Sequence, residues 1–363
     1  MIYYLFIIIL GLAAAVKNHL KNDSPYVKYA PPFLFAAFIV FGALRFEVGT
    51  DWFTYLKYFN NSVKLFHPEI FTSDYLFKLF QYLIKMLFDS YLLFVAGVFV
   101  VSFTLKYAVL RKYSNNISLS LLVYYITIFL YFDINAIRQG LALGLVFFSL
   151  RYILENDWKK YLLLCLAASL IHLSAVIFLP FYWISRIELS RRSYLLIICG
   201  ALLIRLVWES FQFDPDIIGY MLPKEYLGKL KFYISDKYFG RPIDLFSVAV
   251  FQRALVFFSF LLLFDKIDIN EKVKRLLINA SFLSFALFVA LSMSTDIATR
   301  LSFYFRIFEI LLIPAFLAVS AGKMTKLSIL LCIIVYCLAG LYRMLSITNG
   351  GLLPYDNLLL HLF

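Results

Sequence analysis

The sequence predicts an all-α, polytopic membrane protein of about twelve transmembrane helices. Three observations carry that reading. Hydrophobic residues make up 63% of the 363-residue chain and charged residues 15%, whereas soluble domains are nearer half apolar and a quarter charged. Apolar runs of roughly 18–20 residues recur along the chain. The alternating apolar-polar pattern of a membrane β-barrel is missing.

The first run, MIYYLFIIIL, has no basic stretch ahead of it, so it reads as a span and not as a cleaved leader. Spans are expected near 1–16, 31–45, 90–110, 117–132, 136–153, 157–172, 173–187, 193–209, 245–264, 276–294, 300–320 and 327–346, as a single transmembrane domain over residues 1–363. The stretch from Tyr161 to Ile184 is almost continuously apolar; as one helix it would be about 36 Å long at 1.5 Å per residue. Its flanks argue for two short helices instead. Lys159 and Lys160 precede it, and Arg186, Arg191 and Arg192 follow it, so both ends belong on the cytoplasmic side. A turn at His172 satisfies both.

With that hairpin the short basic loops 17–30, 111–116, 151–160, 186–192, 265–275 and 321–326 all fall inside, and both termini fall outside. The net charge of +12 is scattered over these loops, which suits anionic lipid and offers no stripe for a nucleic acid. The outer face carries two long loops, 45–89 and 210–244. Each holds an amphipathic segment, 75–88 with Lys78, Gln81 and Lys85 as a polar stripe, and 225–239, and both read as helices in the membrane interface. Packing against the bundle explains them equally well. The cysteines Cys165, Cys199, Cys332 and Cys337 lie inside apolar runs and read as packing residues.

Polar residues gather at the outer face. Arg45, Arg138, Arg300 and Arg306 each lie within a turn or two of it, where positive charge is disfavoured. Four guanidinium forks there suit a phosphate or pyrophosphate. Local pairing is the competing account, with Asp133 near Arg138 and Asp296 four residues before Arg300. In RFEVGTDWFTYLKYF, Thr50 or Asp51 either caps a helix starting at Trp52 or, for Asp51, serves as a base. His172 at its turn is a general base or a structural hydrogen-bonder. Asp214-Pro215-Asp216 has the look of a metal-binding Asp-x-Asp, but only two residues match. P-loop, GxSxG and HExxH motifs are missing from the sequence.

The order of motifs carries a resemblance: Arg45, Gly49-Thr50-Asp51 and Tyr55 after the second span, Ile137-Arg138-Gln139 and Ala142 opening a later one, then His172-Leu173-Ser174-Ala175, then Arg300, Arg306 and Ile313-Pro314, and Pro354-Tyr355 in the tail. The chain resembles the EpsG-like family of bacterial polysaccharide polymerases, related in role to the Wzy O-antigen polymerases. Trp52 departs from the tyrosine more usual after the Asp.

The resemblance implies a GT-C-like membrane glycosyltransferase of the bacterial inner membrane. It implies that a growing glycan passes from undecaprenyl pyrophosphate to the next lipid-linked repeat unit on the periplasmic side, without a metal or other cofactor. The expected partners are the lipid-linked donor and acceptor, the bilayer and a chain-length regulator. On that reading Arg45, Arg138, Arg300 and Arg306 hold pyrophosphate, and Asp51 or His172 is the base. Glu47, Tyr55, Asp133 and Gln139 lie nearby as weaker candidates for sugar or lipid contacts. An O-antigen ligase would share the donor. A lipid-linked oligosaccharide flippase would instead carry charge deep in several spans.

Overall fold

The computed structural model describes residues 2–19, 25–62, 74–211, 241–347 and 351–361. The expected helix at 225–239, the Asp214-Pro215-Asp216 turn and His67 lie outside them. Among the described residues every regular element is helical, and β-type pairing is limited to isolated bridges such as that between Arg45 and Asn357. The protein is a multi-pass, all-helical membrane protein.

In chain order the helices are α1 (Ile2–His19), α2 (Pro25–Ala43), α3 (Trp52–Asn60), α4 (Tyr75–Phe88), α5 (Tyr91–Tyr113) and α6 (Ile117–Tyr124), which runs on as a π-helix over Tyr125–Asp133. There follow α7 (Ile137–Leu154), α8 (Trp158–Ile171), a 3-10 segment Leu173–Phe178 and α9 (Phe181–Ile184). The rest are α10 (Arg191–Phe211), α11 (Val248–Leu263), α12 (Glu271–Ala290), α13 (Thr295–Arg306), α14 (Glu309–Ala315) and α15 (Lys323–Ile347).

Each expected apolar run coincides with a helix or a pair of helices, but their lengths differ. Among the described residues six helices are long and apolar enough to cross a membrane: Tyr91–Tyr113, Ile137–Leu154, Arg191–Ser210, Val248–Lys266, Glu271–Ala290 and Lys323–Ser346. The bent pair Thr295–Arg306 and Glu309–Ala318 makes a seventh if it is one span, broken by 56°. Ile117–Asp133 and Leu173–Ile184 are apolar but shorter; at 1.5 Å per residue they fall below a hydrocarbon core of about 30 Å. α1 and α2, of 18 and 19 residues, are at least as long as α7.

The chain divides into two compact units, Met1–Leu179 with Glu309–Phe363, and Pro180–Phe308. In the first, α5, α7 and α8 form the centre, and α1, α2, α6 and α15 surround the π-helix. Aromatic rings fill the seam between them: Phe38, Phe103, Tyr124 and Phe129 are all buried, and Phe38 lies 5.1 Å from Phe103 and 5.6 Å from Phe129. The expected turn at His172 is present. His172 is extended (φ −153°) after α8, and the Tyr161 hydroxyl donates to the carbonyl of Phe178. A straight helix would hold those two residues about 25 Å apart, so the chain must double back.

In the second unit a buried asparagine ties the elements together. Asn279 on α12 accepts from the Tyr194 hydroxyl (2.6 Å) and donates to the carbonyls of Ile184 and Ile187 (3.0 Å each). Residues 241–247 dock on the loop before α13, where Ile243 N donates to Ser292 O (2.7 Å) and Thr295 N to Arg241 O (2.9 Å).

Basic loops meet within each unit. Lys112 pairs with Glu155 (3.2 Å) and Asn116 donates to the Ala14 carbonyl (3.2 Å), which puts the ends of α1, α5 and α7 on one side of the first unit. In the second, Arg191 pairs with Asp265 (2.8 Å) and Arg275 with Glu188. These contacts agree with the alternation of loops read from charge.

Candidate functional site

At the opposite end of the first unit, segments far apart in sequence converge. The loop after α2 is fixed from two directions. The tail pairs with it: Phe46 N donates to Asp356 O (3.2 Å), Gly49 N to Gly351 O (2.8 Å) and Leu358 N to Leu44 O (2.8 Å). From the other side Asn135, buried after the π-helix, accepts from Thr50 N (2.7 Å) and Thr50 Oγ1 (3.2 Å), while its own amide donates to Leu130 O (2.7 Å). Gly49 makes this docking possible. Its φ is +119°, and a Cβ there would stand 2.7 Å from the carbonyl oxygen of Ile134.

The capping reading of Thr50 and Asp51 is corrected by this geometry. α3 does start at Trp52 with Asp51 at the N-cap position, but Asp51 makes no side-chain cap hydrogen bond, and Thr50 turns to Asn135. The Asp51 carboxylate lies close to Tyr55. Burial pushes the Tyr55 phenol up, Arg138 opposes that, and Asp51 reinforces it.

Arg138, at the start of α7, meets Asp74 rather than Asp133. Its Nη1 lies 2.6 Å from Asp74 Oδ2, its Nε is 3.4 Å from the Tyr55 hydroxyl, and the guanidinium stands 5.6 Å from the Tyr55 ring centre. Asp74 precedes α4 in a left-handed conformation (φ 57°). Its other oxygen, Oδ1, is 3.9 Å from His172 Nδ1, an electrostatic contact longer than a hydrogen bond. The side chains of Arg138, Asp74 and His172 are 35%, 10% and 17% exposed. Arg138 is therefore open to a ligand while the other two stand behind it.

α4 sets the depth of this cluster, and its polar stripe is used by the protein itself. Gln81 is buried and donates to the Tyr58 carbonyl (2.9 Å) and Ser62 Oγ (2.8 Å). Lys85 donates to the carbonyls of Phe59 (2.9 Å) and Asn60 (2.8 Å), covering the end of α3 where carbonyls lack helical partners.

Beneath the cluster lies a buried ion pair. Lys106 of α5 is 2.6 Å and 2.8 Å from the two oxygens of Asp133, which also accept from Ser102 Oγ (2.7 Å) and the Tyr124 hydroxyl (2.6 Å). Both charged side chains are 1% exposed. Lys106 and Ser102 also donate to the Gly140 carbonyl, at 3.0 Å and 2.9 Å. A Cβ on Gly140 would reach within 2.8 Å of Asp133 Oδ1. Asp133 is thus a structural anchor, out of reach of a sugar. Gln139 is likewise buried, at 1% exposure.

Arg45 is buried too. Its Nη1 donates to the Asp133 carbonyl (2.9 Å), and the guanidinium stands 5.9 Å from the Trp52 ring centre. It braces the wall of the site from within instead of facing a ligand. Glu47 is exposed, with a φ of 52°.

Arg300 and Arg306 belong to the second unit. Arg300 Nε pairs with Asp296 Oδ2 at 2.6 Å, the i, i+4 pairing expected from sequence. Arg306 is buried, 5.0 Å from the Phe303 ring centre. Among the described residues no three His, Cys, Asp or Glu side chains gather in a group able to hold a metal ion.

Sequence reasoning missed Asp74, Lys106 and Asn135. Lys106 carried a signal, since an ionisable residue inside a span needs a partner. Asp74 had none: a loop aspartate before an amphipathic helix looks ordinary.

A helical scaffold with an arginine–carboxylate–histidine cluster at one end defines the class, that of multi-pass, all-helical membrane proteins with a polar site. Within that class the chain belongs to the EpsG family, whose profile matches residues 28–357. Membership supports polysaccharide polymerase activity of the Wzy type as the general class. No curated protein and no solved structure matches the chain.

Proposed function

We propose that this protein is a polysaccharide polymerase that transfers a growing glycan from undecaprenyl pyrophosphate to a hydroxyl of the next lipid-linked repeat unit, on the periplasmic side of the bacterial inner membrane. The observation that carries the site is the Asp74–Arg138 pair with His172 beside it. Arg138 is oriented by Asp74 and open on its other side, as a phosphate-binding fork requires.

The reaction breaks the bond between the sugar anomeric carbon and the pyrophosphate oxygen, and the electron pair stays on that oxygen. The acceptor hydroxyl oxygen forms the new bond to the same carbon. Arg138 stabilises the charge that grows on the leaving group, where a fixed cation at a low-dielectric boundary contributes several kcal/mol. The hydroxyl proton goes to a base, His172 or Asp51, and from there to water. The assignment of Arg300 and Arg306 to pyrophosphate rests on the family's motif order alone. A twelve-span arrangement with both termini in the periplasm is read from the pattern of basic loops, and the GT-C-like fold is what the family resemblance implies.

The test is the polysaccharide pattern on a gel from cells lacking the protein. Single repeat units on the surface are expected. Polymer retained on the lipid carrier would mean a ligase, and no repeats outside would mean a flippase; either result overturns the polymerase reading.

A further inference from the structure

We propose that Asp74 is the positioning residue of this site. One of its oxygens fixes the Arg138 guanidinium, and the other sets the orientation and proton affinity of the His172 ring. Pyrophosphate arriving at Arg138 competes for the first oxygen and drives the carboxylate toward His172. The competition step rests on the polymerase reading above; the Asp74–His172 relation rests on geometry alone.

Three observations support it. First, Asp74 Oδ2 is at full ion-pair distance from Arg138 (2.6 Å) while Oδ1 stands 3.9 Å from His172 Nδ1. A side-chain rotation of modest size closes that gap to a hydrogen bond and lengthens the other contact. Second, Asp74 is held in place by its backbone. It sits in a left-handed conformation at the head of α4, with its carbonyl accepting from Lys78 N at 3.0 Å, and α4 is pinned to α3 through Gln81 and Lys85. Third, His172 stands at the sharp turn between α8 and the 3-10 segment, so its ring is presented by a rigid corner.

The charged and titratable groups around His172 come from several elements. Asp74 precedes α4; Arg138 comes from α7 and meets the other oxygen of Asp74, with Tyr55 of α3 against Arg138. The 3-10 segment Leu173–Phe178 contributes no ionisable group. Arg138 depresses the proton affinity of the imidazole and Asp74 raises it. Neutralising Arg138 with a phosphate and turning Asp74 toward Nδ1 both act in one direction. Donor binding therefore makes His172 a stronger base and couples base strength to an occupied donor site.

The experiment is carbethoxylation of His172 in the purified full-length protein in detergent, read by mass spectrometry over a range of pH, because the reagent attacks only neutral imidazole. Asp74→Asn and Asp74→Ser are both prepared, so the comparison survives if one fails to fold. The expected result is a fall in the His172 midpoint of about one pH unit, so that one unit below the wild-type midpoint modification is about fivefold faster. An unchanged midpoint in a folded variant overturns the positioning role.

Farnesyl pyrophosphate serves as the probe for the second step, with its binding followed by native mass spectrometry. Bound probe should raise the midpoint in the wild type and raise it less in the Asp74 variants, where only the neutralisation of Arg138 remains; an equal rise overturns the coupling. Bound probe with no rise in the wild type overturns the coupling. No binding at all overturns the pyrophosphate reading of the site and the coupling with it, while the comparison without probe still decides the Asp74–His172 relation.

Discussion

Asp74 Oδ2 and Arg138 Nη1 are 2.6 Å apart although 64 positions separate the two residues in the chain. The pair joins the residue before α4 to the first turn of α7, and its arginine is partly exposed. Arg138→Lys keeps the positive charge and loses the fork. A charge-assisted hydrogen bond is worth about 1.5–3 kcal/mol, so polymer synthesis should drop by about ten- to a hundredfold. Chain-length distributions from cells expressing the variant at wild-type level give the measurement, and normal chain lengths would refute the phosphate role.

The Lys106–Asp133 pair predicts an asymmetric response. Lys106→Met leaves a buried carboxylate facing two hydroxyls, and breaking a buried pair in this way costs about 3–5 kcal/mol. Lys106→Met with Asp133→Leu removes both charges and should recover most of that loss. Thermal unfolding in detergent distinguishes the two, and a single variant as stable as wild type would show the pair to be dispensable.

Gly49→Ala tests the docked turn. The new Cβ meets the Ile134 carbonyl at 2.7 Å, and the residue must hold a φ of +119°. Strain of this kind costs about 1–3 kcal/mol. The expected outcome is a folded protein with reduced polymerisation, because Asp51 and α3 move away from Arg138. Asn135→Ala should mimic it by removing the acceptor for Thr50 N. Unchanged activity in both would separate the turn from the site.

The tail is a further support. Tyr355 stacks on Phe41 with ring centres 4.3 Å apart, and its hydroxyl donates to the Phe41 carbonyl at 2.6 Å. Tyr355→Phe loses only the hydrogen bond, a cost of about 0.5–1.5 kcal/mol. Tyr355→Ala loses the stack as well and should cost about 3–5 kcal/mol, in the range for truncating a well-packed aromatic. Relative expression and melting temperature in detergent check the order; equal losses would mean that the stack contributes nothing.

Much of the scaffold was legible in the sequence for a physical reason. Lipid demands long apolar helices, so the apolar runs mark where helices lie. The turn at His172 was legible in the same way, from Lys159 and Lys160 on one flank and Arg186 on the other. The number of full-length spans was not, because apolar runs such as 117–132 and 173–187 form short or broken helices.

By itself the sequence determined the helical membrane class and the family. Tertiary structure alone decided the pairings. Arg45 turns inward to a backbone carbonyl, Asp133 is claimed by Lys106, and Arg138 takes Asp74. Spacing along a chain reports which residues share a helix face. It carries no record of which distant carboxylate a buried cation will find, since that depends on how helices pack and on which groups the packing removes from water.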